Sequence, residues 1–326
     1  MLFSVVIPVY NVAAYLQPCI DSVLANDCSD CEIILVDDGS TDGVSPALCD
    51  ENAAKHPERI RVIHQANRGL GGARNTGIAA TTGEYLFFVD SDDTISPDAL
   101  TILTAAIHAS HADIYSFRMC QVTEAGESTP LTVSPRYAGT FTLREHPEFL
   151  EALPASWARI WKRRLFVEHG IQFPCKVWYE DIRTSPKLFA VAESIVTLDA
   201  HLYRYLMRQG SIMRNSNIER CREIIDAFDD LSDWFAKNGL SDIYRRELCT
   251  LAAEHLYIAA SVRVLRADRK SPILSELHDR FEAEFPDHAT RMDWAHFSSA
   301  QKLCYRLLNH RAYRTLSFLF RIKNSF

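Results

Sequence analysis

The chain predicts an α/β fold, a mainly parallel sheet with helices on both faces, followed by a helical subdomain. Three observations carry that expectation. In the first hundred residues, short β-rich apolar runs alternate with helical patterns, which is how βαβ units read in a sequence. Polar residues gather where those runs end, and a parallel sheet holds its ligands at the carboxyl ends of its strands. Beyond about residue 215, apolar residues recur at spacings of three and four, the period of helices with one buried face.

The elements follow in order. Residues 4–7 read as a strand and 13–25 as a helix; then come strand 32–36, helix 45–55, strand 60–64, a glycine-rich turn entering helix 73–80, and strand 85–89. Residues 113–117 and 194–198 read as strands around a helical middle. Ile218, Cys221, Ile224, Ile225, Phe228, Leu231 and Trp234 lie on one face of a helix, and Leu248, Leu251, Ala252, Ile258, Ala259, Val262 and Leu265 suggest another. The expected division is therefore 1–215 for the α/β part and 216–326 for the helical part.

Bulk properties narrow the function. A net charge of −7 over 326 residues excludes general nucleic-acid binding, which needs a basic face. Nine cysteines without metal-finger spacing, with Cys28 and Cys31 as a lone CxxC, point to reduced and mostly buried thiols. The start lacks a basic region and a cleavage-like site, and no apolar run approaches the roughly 20 residues that span a bilayer, so a cytoplasmic location is expected. Residues 294–326 carry Lys302, Arg306, Arg311, Arg314, Arg321 and Lys323 and no acid, with Leu303, Phe318 and Leu319 among them. They read either as a basic amphipathic helix lying on an anionic membrane or as a terminal helix packed on its own protein.

Four clusters carry the chemistry. Asp90, Ser91, Asp92 and Asp93 follow an apolar run. Like charges so close repel, so a shared cation that prefers hard oxygen ligands, Mg2+ or Mn2+, gives them a reason to stay together. A structural Ca2+ site or plain helix capping is the bland alternative. Alternation along an extended chain points Asp93 away from the pair Asp90 and Asp92. Asp37 and Asp38 end the second strand, where a carboxylate either accepts an N–H from a pyrimidine ring or caps the next helix.

The segment Gly69-Leu70-Gly71-Gly72-Ala73-Arg74-Asn75-Thr76-Gly77 is neither a dinucleotide fingerprint nor a P-loop. Arg74 stands where the former needs its third glycine, and Ile78 and Ala79 stand where the latter needs Lys and Ser or Thr. It reads as backbone that lets a ligand approach and places Arg74 at a helix start, suited to a diphosphate, or else as a surface turn. Further on, Trp178-Tyr179-Glu180-Asp181 sets two acids after two aromatics. A carboxylate in an apolar wall is raised toward neutrality and serves as a general base; an acid pair at a helix N-terminus is the commoner reading. In 204–211, Arg208 is placed to contact a diphosphate and Gly210 to flex, as a closing segment or a plain loop.

With these clusters in order, the chain resembles the family 2 inverting glycosyltransferases of the GT-A fold, of the bacterial capsule and exopolysaccharide type. The resemblance rests on Ser4 to Asn11, Val36 to Asp42, Asn67 to Gly77, Asp90 to Asp93 and Glu180-Asp181. It implies that Pro8, Tyr10 and Asp38 bind the base and ribose, that Arg74 helps hold the nucleotide, and that Asp90 and Asp92 form the Asp-x-Asp metal site with Asp90 also against the nucleotide sugar. It makes Asp181 the general base and reaches Trp157 and Glu180 on the acceptor side. The implied partners are a nucleotide-sugar donor, UDP favoured, and a glycan or lipid-linked acceptor, with peripheral contact to the plasma membrane's inner face. A nucleotidyltransferase would carry a basic glycine-rich loop after the first strand, where Pro8-Val9-Tyr10-Asn11 stands instead. The acids at 38, 90, 92 and 181 weigh against a catalytically silent binding protein, and a glycosidase has no need of nucleotide loops.

Overall fold

The computed structural model describes residues 1–27, 29–208 and 217–323. The chain forms two compact units, Met1–Gln209 and Gly210–Phe326.

In the first unit, β1 (Phe3–Val9), β2 (Cys31–Asp37), β3 (Ile60–His64) and β4 (Tyr85–Phe88) pair in parallel in the order β3-β2-β1-β4. Every residue of β1, β2 and β4 is buried, as expected of parallel strands covered on both faces. The helices α1 (Ala13–Leu24), α2 (Ser45–Lys55) and α3 (Gly69–Ala80) form the crossovers. Strand order turns back at β1, with β2 on one side and β4 on the other, so the loops after β1 and β4 open on a common crevice.

The sheet then becomes mixed. After the short β5 (Thr94–Ile95) and α4 (Ala99–Ser110), β6 (Ile114–Thr123) begins where strand 113–117 was expected but runs six residues further. It pairs with β7 (Ser128–Leu131), while β8 (Thr140–Phe141) pairs with β10 (Ile195–Met207). The strand β9 (Arg159–Lys162) inserts antiparallel between β4 and β6. Its Trp161 side chain is fully buried. Between β9 and β10 lie α5 (Arg164–Val167) and α6 (Glu180–Val191).

The sequence reading gave the glycines of α3 a role in ligand approach; in the structure two of them make close packing contacts. A Cβ on Gly71 would stand 2.1 Å from the Pro174 carbonyl oxygen, and one on Gly77 would stand 2.3 Å from Val6 Cγ1. The helix therefore lies close on β1 and on the segment that leads to α6.

The second unit is helical. A 3-10 turn, Ile218–Arg222, leads into α7 (Glu223–Lys237), and Cys221, Ile224, Phe228 and Leu231 are buried, matching the predicted face. The helix Arg245–Ala267 is continuous through α8 (Arg245–Ala252), a π-helical turn (Ala253–Ala259) and α9 (Ala260–Ala267). At 23 residues it is long and apolar enough to cross a membrane, but 72% of its most apolar 18-residue window is buried, the condition of a core helix. Then follow α10 (Ile273–Glu284), α11 (His288–Arg291), α12 (Ser299–Asn309), capped by Ser298 and Gln301, and α13 (Tyr313–Lys323). The cysteines among the described residues are free thiols, most of them buried; Cys28 lies outside those residues.

Candidate functional site

The loops after β1 and β2 are tied together by Asn11. Its backbone is left-handed at φ 51°, and its side-chain oxygen accepts N–H groups from Thr41 at 2.7 Å and Asp42 at 3.2 Å. Asn tolerates this conformation better than most residues because its short polar side chain bonds locally. Pro8 lies inside β1, and Tyr10 emerges beyond its end, about half exposed. Asp38 is buried, and its Oδ1 accepts from Gln65 Nε2 at 2.6 Å and Arg68 N at 2.8 Å. The capping role weighed for it falls to Asp42, which accepts from Ser45 N and Oγ at 2.9 and 2.6 Å at the start of α2.

The acids after β4 are not extended. Asp93 N donates to Asp90 O at 2.9 Å, closing a turn, so it is the turn and not strand alternation that separates Asp93 from its neighbours. Asp93 accepts from Tyr203 Oη at 2.7 Å and Leu206 N at 2.7 Å, and Tyr203 Oη in turn accepts Asp90 N at 3.1 Å. Burial, with Asp90 and Asp92 adding to it, pushes the Asp93 carboxyl well above its ordinary range.

Arg74 is the hub. Its side chain is fully buried; Nη2 donates to Asp90 Oδ1 at 3.0 Å, and Nη1 donates to Asp181 Oδ1 at 2.8 Å and Glu180 Oε1 at 3.1 Å. Phe173 and Phe88 wall the guanidinium, at 5.2 and 6.0 Å from their ring centres. Burial disfavours its charge, but Asp181, Asp90 and Glu180 together outweigh that and hold it protonated. The sequence reading has Arg74 help hold the nucleotide; in the structure its guanidinium bonds Asp90, Glu180 and Asp181. Burial lifts Asp90 to about 6 against the pull of Arg74, and burial together with Asp181 lifts Glu180 to about 7.

Asp181 and Glu180 open α6 behind Tyr179, which is left-handed at φ 63°. For an aromatic residue that conformation is strained, and such strain gathers at functional sites. Ser156 donates to Asp181 from Oγ at 2.6 Å and from its backbone N at 3.3 Å. Next to it, Trp157 is buried, stacked on Tyr203 and Tyr205 with ring centres 4.7 and 5.5 Å away. On the other side, Arg208 Nε donates to Asp92 Oδ2 at 2.6 Å, and its guanidinium lies 4.8 Å from the ring centre of Tyr15. Gly210 and the rest of 209–216 lie outside the described residues.

The structure thus brings Arg74, Asp90, Glu180 and Asp181 into direct contact, and joins Asp92 to Arg208. Among the described residues no three His, Cys, Asp or Glu side chains form a cage for a metal. Mg2+ and Mn2+ need none, since they take one or two carboxylates and complete their shell with water and substrate phosphates. Asp90 and Asp92 are hard oxygen donors, each held on one oxygen by an arginine, and as a donor set they fit such an ion. Sequence reasoning missed Ser156 and Gln65, which carry no pattern of their own and become visible only through the carboxylates they bind.

Residues 4–162 match the family described as Glycosyl transferase family 2. The chain is 34% identical over 246 residues to Glycosyltransferase GlyA of Streptococcus pneumoniae serotype 4, covering 72% of this chain and 35% of that one. It thus spans about a third of that longer relative. It is 31% identical over 244 residues to Glycosyltransferase GlyG of the same organism, covering 70% of this chain and 78% of the relative. In fold it is similar to S. aureus TarS 1-349 in complex with UDP-GlcNAc, with a TM-score of 0.64 at 22% identity over 99% of this chain and 92% of the other.

Proposed function

Since the chain belongs to glycosyl transferase family 2 and is a glycosyltransferase, we propose that it moves a sugar from a UDP-sugar to a hydroxyl of a glycan or lipid-linked acceptor, by one inverting displacement that needs a divalent cation. One observation carries this reading: a single buried guanidinium, Arg74, holds both Asp181 and Asp90. A carboxylate that accepts a proton is thereby fixed beside one that holds the cation of a diphosphate.

Asp181 takes the proton of the acceptor hydroxyl as its oxygen bonds to the anomeric carbon. The bond from that carbon to the phosphate oxygen breaks, and its electron pair leaves with the nucleoside diphosphate. Attack and departure on opposite faces invert the centre. Ser156 and Arg74 hold Asp181 in place. Pro8, Tyr10 and Asp38 take the base and ribose, Arg208 meets the diphosphate, and Trp157 and Glu180 line the acceptor side. Held by Asp90 and Asp92, Mg2+ or Mn2+ would neutralise the charge of the departing diphosphate. The UDP assignment is supported by the family and by the UDP-GlcNAc complex of TarS.

In this reading 1–215 is the catalytic domain and 216–326 an accessory helical one. The enzyme works at the inner face of the plasma membrane in cell-surface polysaccharide synthesis, with the basic C-terminal helices against anionic lipid. The test is to incubate the protein with Mn2+ or Mg2+ and a panel of nucleotide sugars, with and without lipid-linked acceptors, and follow nucleotide release. Metal-dependent release with a UDP-sugar is expected; no release with any donor, together with no metal-dependent nucleotide binding, overturns the proposal.

A further inference from the structure

A second charged feature lies in the helical unit, apart from the carboxylate cluster and its arginines. The loop between α9 and α10 and the turn between α12 and α13 enclose a cleft of about 350 Å³ lined by Arg269, Lys270, Arg311, Ala312, Tyr313 and Arg314. Four of its six lining residues are cations, in a protein whose net charge is −7.

Those charges are poorly answered from within. Arg311 Nη2 donates to Asp279 Oδ1 at 2.9 Å, a pair that is largely exposed. Asp268, beside the cleft, spends Oδ1 on the backbone N–H of Lys270 at 2.8 Å. Among the described residues Arg269, Lys270 and Arg314 make no ion pair. Crowded like charges raise the energy of the fold unless a counter-charge joins them. Arg311 also holds a left-handed backbone at φ 49°, in the turn that follows α12, where glycine is the easier residue. The turn thus keeps a long cation at a position that favours a residue with none. Tyr313, at the start of α13, completes the lining.

We propose that this cleft is a binding site for a phosphate monoester or diphosphate group. Its volume lies at the low end of ligand sites, which begin near about 300 Å³, and suits a small, highly charged group over a whole nucleotide. The planar guanidiniums of several arginines around a tetrahedral phosphate give paired charge-assisted hydrogen bonds, which lysine-rich solvated surfaces do not. The site is independent of the glycosyl-transfer reading: it shares no residue with the carboxylate cluster, and either can fail without the other. The same chemistry is offered by a soluble phosphate compound and by a lipid headgroup, and exposed Leu303, Phe318 and Leu319 on α12 and α13 place apolar surface on the same helices.

The test uses the full chain in EDTA, where Asp90, Asp92 and Asp181 repel anions, and titrates inorganic pyrophosphate by calorimetry. The variant Arg269→Ala/Arg314→Ala is expected to weaken binding at least about tenfold. Lys302→Ala/Arg306→Ala removes the same charge from α12 outside the cleft and is expected to leave affinity within about twofold. Absence of binding by the wild type, or equal weakening in both variants, overturns the proposal. Sedimentation with phosphatidylcholine vesicles, with and without phosphatidic acid, separates the sources. If phosphatidic acid recruits the wild type, pyrophosphate releases it and the cleft variant stays in solution, a lipid headgroup is the occupant. Pyrophosphate binding without vesicle recruitment assigns the cleft to a soluble phosphate.

Discussion

Glu32 and Asp90 lie at opposite ends of the same parallel sheet, and their carboxyls are shifted in opposite directions. At the amino end of β2, Glu32 accepts from Ser4 Oγ, Thr82 N, Thr82 Oγ1 and Gly83 N on one oxygen and from Arg61 on the other, at 2.6 to 3.2 Å. Burial pushes its carboxyl up, but those donors outweigh burial and hold it at about 2. At the carboxyl end, Asp90, Glu180 and Asp181 share one cation, and Asp90 and Glu180 rise to about 6 and 7. Donors facing a carboxylate can reverse the shift that burial imposes on it. The saturated end serves stability, and the raised acids at the other end are where the proposed chemistry is placed.

The strongest way to break this contrast is Arg74→Leu. It leaves three partly buried carboxylates without their fully buried cation and should destabilise the fold by about 3–5 kcal/mol at pH 7. Asp90 and Glu180 hold protons in the folded state at a pH where the unfolded chain has released them. Their contribution to wild-type stability is therefore full below pH about 4 and is lost as pH rises through 6 and 7. The loss in Arg74→Leu should shrink toward pH 5, where both groups are neutral. Urea unfolding across pH 5 to 8 checks this, and a loss that is small and flat with pH removes Arg74 from its central place.

Glu32→Gln probes the other end and should cost about 1–3 kcal/mol at pH 7. Here the folded-state value is depressed from 4.5, so the contribution is present above that value and fades as pH falls toward 2. Acid titrations of stability for wild type and variant should converge below pH 4. Gly71→Ala comes next: its methyl would stand 2.1 Å from the Pro174 carbonyl oxygen, and separating α3 from that segment should cost about 1–3 kcal/mol in denaturant unfolding. The smallest effect is expected from Ser156→Ala, which removes one bond to Asp181 and should lower stability by about 1 kcal/mol. Its kcat should fall severalfold with nucleotide affinity unchanged, since it acts only through the proposed base.

How much of this was legible in the sequence follows from how local each feature is. β1 to β4 and α1 to α3 declare themselves because each has its own apolar period within a dozen residues. Asp38, Asp90, Asp92 and Asp181 stand out because they end apolar runs or follow aromatics. Their assembly does not, since Arg74 meets Asp181 across 107 positions and Ser156 meets it from another loop. The glycine run illustrates the limit: sequence identifies that backbone must approach something closely, but the something is Pro174 and Val6, which only folding brings near. β9 stayed hidden for a similar reason, being a four-residue strand whose partners β4 and β6 lie far along the chain.

The central claim is that the donor-poor end of the sheet carries the chemistry, with Asp181 as its base. Asp181→Asn tests it most directly, with nucleotide release from the preferred UDP-sugar measured beside donor affinity. The account predicts that release falls by about 10²–10⁴-fold while donor affinity is preserved, because the amide keeps the shape and loses the proton-accepting charge. Undiminished release in that variant would contradict it.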